Sequence, residues 1–249
     1  MKLRTALLAA ILALAGTGQA LAQTVYKVGS TPTGQPFTFL DVKTNTIQGM
    51  MVDLISEIGA DQGFKVDIQP TQFAVLIPSL TGGRIDIMSA AVTITPQRAE
   101  LVDFTQPVFP YQEGLIVQKT DEKPYKSVAD LEGQVVGVQG GTTYEAMLRR
   151  EGKFAEIRTY DSIADIMRDV QLGRIKGGFA DEPIVRFRLS QDKNATIKLV
   201  NTYQAKVVGD VALAVKKGNK ELLDKLNAGI AKLKANGRVQ ALQEKWGLR

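Results

Sequence analysis

The chain has 249 residues, 31 Lys and Arg against 26 Asp and Glu, a net charge of +5, and neither Cys nor His. Lacking cysteine, it has no disulfide framework and no lipid-modified N-terminal cysteine; lacking histidine, it has neither the usual metal ligand nor the usual general base, which argues against zinc sites and catalytic triads. The basic excess is interspersed along the chain and forms no stripe, so it reads as a solvated surface and not as a nucleic-acid footprint.

Taken in order, the chain opens with Lys2 and Arg4, an apolar stretch over 7–15 and the small-residue run Ala20-Leu21-Ala22. That is the pattern of a secretory signal peptide over 1–22, cut before Gln23, and the apolar stretch is shorter than the roughly 20 residues a bilayer span needs. A strand is predicted at 26–29, then a turn-rich stretch to Gly49. A helix follows over 50–60, with Met51, Leu54, Ile55 and Ile58 at helical spacing. A strand at 65–69, a short helix over 73–80 and a strand at 85–88 complete a β-α-β-α-β unit, which implies a parallel sheet flanked by helices.

The second half repeats the plan. Strands are predicted at 135–138, 156–160 and 178–180, and helices over 143–150 and after Ser162, where Asp165 suits the positive helix end. The phrases Leu80-Thr-Gly-Gly-Arg-Ile-Asp86 and Leu172-Gly-Arg-Ile-Lys176 echo each other across the halves. Between them, 103–118 is rich in Pro and aromatics and ends in a strand at 115–118. Late in the chain come a strand at 211–215, an amphipathic helix from Lys220 stopped at Gly237, and a final helical turn carrying Trp246. This tail is expected to return to the first half, so that two chain crossings join two α/β lobes. Open parallel sheets bind ligands beyond their strand C-termini, which places a site in the cleft.

Three segments could supply that site. After the strand at 85–88 the chain becomes small and hydroxyl-rich through Thr93 and Thr95; Pro96 fits a first helical turn, and Arg98 follows, a planar fork suited to a carboxylate. The threonines read equally as helix caps. Gly140-Gly141-Thr142-Thr143 follows a strand and opens a helix, either as an anion-binding turn or as a tight turn with a threonine cap. Asp181, ahead of Glu182 and Pro183, is either an N-cap or a carboxylate for an ammonium group. A cationic corner, a row of N–H donors and an anionic corner together suit a zwitterion better than a sugar or a metal ion.

With these phrases in hand, among them Leu76-Ile-Pro-Ser-Leu, Thr93-Ile-Thr-Pro-Gln-Arg98, Val102-Asp-Phe-Thr, Gly137-Val-Gln-Gly-Gly-Thr-Thr143 and Ala180-Asp-Glu-Pro183, the sequence resembles the family 3 solute-binding proteins, the amino-acid receptors of bacterial ABC importers. The resemblance covers essentially the whole chain after residue 22. It implies a two-lobed periplasmic-binding-protein fold, each lobe a mostly parallel sheet flanked by helices, joined by two crossover strands. Lobe 1 would comprise 23–112 and 210–249, and lobe 2 would comprise 113–209. It implies a monomeric periplasmic receptor with no catalytic residues, no cofactor and no metal, working with a permease and an ATPase in the inner membrane. The carboxylate-binding arginine falls on Arg98, with Ala91 (through its backbone) and Thr93 beside it. The second-lobe donor falls on Thr142 or Thr143, the ammonium-binding aspartate on Asp181 and the apolar wall on Phe73.

Three departures follow. Thr31 and Gly34 stand where receptors for basic amino acids carry an acid and an aromatic. The first loss argues against a cationic ligand side chain; the second leaves space for a bulkier ligand or for another ring such as Phe37 or Tyr111. The start of the first helix, Gly49-Met-Met-Val-Asp53, departs from the family pattern in its capping. Two rival functions remain: a cyclohexadienyl dehydratase-like enzyme using Glu182, Glu145 or Glu113 as acid, and a sensory module that binds the same ligand without transport.

Overall fold

In the computed structural model, which describes residues 23–248, the first half begins with β1 (Val25–Ser30). The expected leader over 1–22 lies outside the described residues. The turn-rich stretch is more ordered than expected, because β2 (Thr33–Gly34), β3 (Thr38–Asp41) and β4 (Thr46–Gln48) form a small antiparallel sheet. The helical spacing produces α1 (Met50–Gln62), with its four marked apolar residues buried. β5 (Lys65–Pro70) follows, then a 3-10 turn at Phe73–Val75 and α2 (Leu76–Thr81). The single helix expected over 73–80 is split for a physical reason. A helix starting at Phe73 would bury Pro78 in its interior without an N–H, whereas one starting at Leu76 keeps it in the first turn. β6 (Ile87–Thr93), α3 (Pro96–Leu101) and β7 (Val102–Phe104) complete this half.

The long strand β8 (Phe109–Gln118) carries the chain into the second half. There β9 (Val135–Gln139), α4 (Thr143–Glu151), β10 (Glu156–Tyr160), α5 (Ile163–Gln171) and β11 (Gly177–Asp181) alternate as predicted. They are followed by α6 (Glu182–Gln191) and β12 (Ile197–Leu199). β13 (Val208–Lys216) leads back to α7 (Lys220–Ala235) and α8 (Arg238–Lys245).

β1 runs parallel to β5 and β6, and β9 parallel to β10 and β11. β8 lies antiparallel to β11, and β13 antiparallel to β6. The two halves meet where β8 and β13 pair, from Val208 opposite Gln112 to Val211 opposite Phe109. The result is a two-lobed α/β architecture with the order β10-β9-β11-β8-β13-β6-β1-β5.

The sequence echo is a structural repeat. The Arg84 N–H donates to the Ser79 carbonyl at 2.8 Å and the Arg174 N–H to the Asp169 carbonyl at 2.9 Å, each across a glycine turn. The next residues, Ile85 and Ile175, cover Gly29 of β1 and Gly137 of β9; a Cβ on either glycine would lie 2.4 or 2.5 Å from the isoleucine Cδ1. The tail also returns as expected. Arg238 binds Glu57 through Nε (2.8 Å to Oε2) and Nη2 (2.7 Å to Oε1), and Trp246 Nε1 donates to Asp53 Oδ2 at 2.7 Å. Asp53 thus anchors the C-terminus, while Gly49 starts α1 without a side-chain cap.

Candidate functional site

The stretch before Arg98 differs from its sequence reading. The strand does not stop at Met88 but runs on to Thr93, and the loosened backbone is a bulge inside it. The register with β13 jumps between Ala212 and Ala214, leaving Ser89, Ala90 and Ala91 without ladder partners on that strand. Ala91 takes φ 50°, a left-handed conformation that costs a non-glycine residue about 1–3 kcal/mol and that concentrates at functional sites. Thr95 caps α3 by accepting the Arg98 N–H at 3.2 Å, and Pro96 occupies the first turn.

Arg98 is thereby swung inward, only 8% exposed. Its Nη1 donates to the Thr93 carbonyl at 2.9 Å, and its Nη2 reaches the other lobe, donating to the Gly141 carbonyl at 3.2 Å. The guanidinium stands 5.7 Å from the Phe73 ring centroid. Burial lowers its pKa, while the Tyr144 and Asp181 charges oppose that shift.

Asp181 ends β11, and its side chain does not cap α6. Tyr144 Oη donates to its Oδ1 at 2.8 Å instead. Burial pushes the carboxyl up to about 6, against the pull of the Tyr144 hydrogen bond and the Arg98 charge. Sequence reasoning passed over Tyr144, because with Met147 and Leu148 it falls on the buried face of α4 and reads as core.

The glycine turn is more committed than its sequence suggests. Gly141 donates its N–H to Glu145 Oε2 at 2.8 Å. The Thr142 hydroxyl donates to the Gln139 carbonyl at 2.7 Å and accepts the Glu145 N–H at 3.1 Å, so it is the α4 cap and its one proton is taken. Thr143, half-buried, opens α4. Gly141 sits at φ 77° against the first lobe, where a Cβ would lie 2.9 Å from the Ala74 Cα. A second cross-lobe contact runs the other way: Arg188 Nη2 donates to the Thr33 carbonyl at 3.0 Å, while its Nε is buried without a partner among the described residues.

The lobes enclose two small adjoining cavities. One of about 10 Å³ is lined by Thr31, Phe37, Ala91, Tyr111 and Asp181, among others. The next, about 30 Å³, is lined by Arg98, Ala74 and Gly141, among others. Phe73 belongs to both walls. Thr31, Ala91 and Asp181 therefore share one chamber and Arg98 occupies the other, while Thr93, Thr142 and Thr143 line neither. Thr31 shares a hydrogen bond with Thr38, Oγ1 to Oγ1 at 2.6 Å. A Cβ built on Gly34 would lie 3.3 Å from Thr31 Oγ1, 3.4 Å from the Thr38 carbonyl and 3.5 Å from Ile184 of the second lobe, and Phe37 and Tyr111 of the same cavity wall pack edge to face at 5.3 Å.

A larger hollow of about 500 Å³ lies outside the hinge strands, walled by Phe109, Phe187 and Leu248. The charged groups of its wall, Glu182 and Arg186, pair with each other. The other candidate acids line neither chamber and are already engaged. Glu145 holds Gly141 and Arg149; Glu113 accepts the Tyr203 hydroxyl at 3.0 Å and the Lys206 and Val207 N–H groups at 2.6 and 2.8 Å. Among the described residues, no cluster of His, Cys, Asp or Glu is placed to hold a metal, and no helix is long and apolar enough to cross a membrane.

Two α/β lobes on paired hinge strands, with buried opposite charges facing the cleft, define a solute-binding architecture. The model of the bacterial extracellular solute-binding proteins, family 3, matches residues 26–249, and the chain belongs to that family. It is 32% identical over 219 residues to the L-cystine-binding protein TcyJ of Escherichia coli (strain K12), covering 88% of this chain and 81% of TcyJ. An ancestral arginine-binding protein bound to glutamine superposes with TM-score 0.83 at 31% identity, covering 91% of this chain and 99% of that one. The ancestral amino acid-binding protein AncCDT-1, a precursor of cyclohexadienyl dehydratase, does so with TM-score 0.80 at 30% identity, covering 89% and 95%.

Proposed function

We propose that the protein captures a free amino acid between its lobes and, once closed, delivers it to the permease and ATPase of an ABC importer. Arg98 takes the ligand carboxylate, assisted by the Ala91 backbone and Thr93, and Asp181 takes the ammonium. Phe73 and Thr31 flank the ligand. Of the two second-lobe threonines, Thr143 is the donor, since the Thr142 proton is spent on Gln139. The lobes divide within the paired strands, 23–112 with 210–249 against 113–209. Removal of the leader would place the receptor in the periplasm.

One observation carries this reading: Arg98 of the first lobe and Asp181 of the second carry opposite charges at the cleft and are not paired with each other, whereas the buried Glu113 is satisfied by Tyr203, Lys206 and Val207. Buried charges call for counter-charges. The carbonyls of Thr93 and Gly141 hold the Arg98 fork in place until a carboxylate, a stronger acceptor, replaces them. Completing both ends needs both lobes, so the ligand shifts the open–closed balance through contacts that only the closed form makes.

The test is calorimetry on the chain from residue 23 onward with amino acids and with their decarboxylated and deaminated analogues. Both analogues should bind at least about tenfold more weakly than the parent, the cost of one lost charged hydrogen bond. An amine binding as tightly as its amino acid would overturn the Arg98 assignment.

A further inference from the structure

We infer that the side-chain subsite beside Asp181 is built for a short, uncharged side chain bearing a hydroxyl or carboxamide, and that it rejects lysine- and arginine-like cations. The inference rests on the assignment of the ligand's charged ends to Arg98 and Asp181, and it concerns what remains once they are used.

What remains carries no net charge. The Asp181 chamber is walled by Phe37, Phe73, Ile163 and Ile184, and its other polar groups are threonines, Tyr111 and Gln139. Among the described residues that line it, Asp181 alone is charged. A ligand guanidinium or ammonium placed there would be stripped of water with no second carboxylate to meet it, the costly case for a buried ion. A ligand carboxylate in the same place would face Asp181, a repulsive pairing.

The polar groups instead match a neutral partner that both donates and accepts. In the Thr31–Thr38 pair one hydroxyl proton is consumed between the two oxygens, so the pair keeps one spare O–H and free lone pairs. Gln139 Nε2 donates to the Asp161 carbonyl at 2.9 Å, which leaves its second N–H and its carbonyl oxygen. Burial raises the Tyr111 pKa well above its usual value, so its phenol stays protonated and able to donate. Crowding across the cleft points the same way: Ile184 of the second lobe comes within 3.5 Å of a Cβ built on Gly34, a residue of the same wall, so a longer side chain needs a wider separation of the lobes.

Calorimetry with serine, threonine, asparagine, glutamine, alanine, arginine, lysine and glutamate decides the matter. A hydroxyl or carboxamide amino acid should bind most tightly, with arginine and lysine at least about 100-fold weaker. Arginine or lysine binding as well as the best neutral ligand would overturn the subsite while leaving zwitterion capture intact; no binding by any amino acid would overturn capture itself. In Thr31→Val the preference for serine over alanine should shrink about tenfold, and in Thr31→Asp arginine should gain on serine. Unchanged ligand ratios in both variants would count against the hydroxyl pair.

Discussion

In the first lobe the turn after α2 lays Ile85 over Gly29, and in the second the turn after α5 lays Ile175 over Gly137 with the same backbone hydrogen bonds. The lobes part company where their strands reach the cleft. β6 passes through a bulge and is followed by a capped helix that turns a permanent cation inward; β11 ends in a carboxylate free of capping and held by Tyr144. Close packing of Ile on Gly leaves no room for variation, so the scaffold repeats. Strand ends face the cleft instead of their own lobe's core, and there the chemistry diverges. One lobe supplies a charge that does not titrate and the other a charge that does.

The most severe way to break this division of labour is Arg98→Ala. Truncation should cost about 3–5 kcal/mol of amino-acid binding, roughly a hundredfold to several thousandfold, because it leaves the ligand carboxylate buried and unpaired. Isothermal titration would read it, and unchanged affinity would refute the role.

Asp181 should respond to pH in two opposite senses. Its folded pKa stands above the unfolded value, so without ligand it favours the folded state below about pH 4, and that contribution fades as pH rises through about 6. Asp181→Asn should therefore be more stable than the parent at about pH 8, by up to about 3 kcal/mol. Ammonium binding needs the ionised form, so amino-acid affinity should fall about tenfold per unit as pH drops below about 6, and the Asp181→Asn variant should lose that slope. Thermal melts and calorimetry from about pH 4.5 to about pH 8 check both halves.

Gly141→Ala would sharpen the comparison at the point of contact between lobes. The new Cβ meets Ala74 and the backbone holds φ 77°, so closure should cost about 1–3 kcal/mol while each lobe folds normally. Small-angle scattering with saturating ligand should show a larger open fraction than in the parent. Arg188→Met should matter least. It removes the Thr33 contact but also an unsatisfied buried nitrogen, two effects of about 1–2 kcal/mol that oppose each other. A large affinity loss there would mean that the second cross-lobe arginine, and not only Arg98, governs closure.

Much of the scaffold was legible beforehand. Helical spacing marked α1, α5 and α7, alternation of strand and helix marked parallel sheets, and the glycine–arginine–isoleucine echo marked the repeat. These signals are local, set by backbone period and by the short reach of a turn. Arg98 and Asp181 were legible as candidates because both follow strand ends. The sequence also left Thr142 balanced between cap and ligand, and its hydroxyl does cap α4.

By itself, then, the sequence determined the order of elements, the return of the tail and the strand-end positions of Arg98 and Asp181, since each follows from spacing along the chain. Only the tertiary structure decided that β6 continues through a bulge, that Tyr144 holds Asp181, that Phe73 lines both chambers and that Ile184 of the other lobe approaches Gly34. Each of these joins residues far apart in the chain. Such contacts depend on how the lobes pack and close, which no local period encodes.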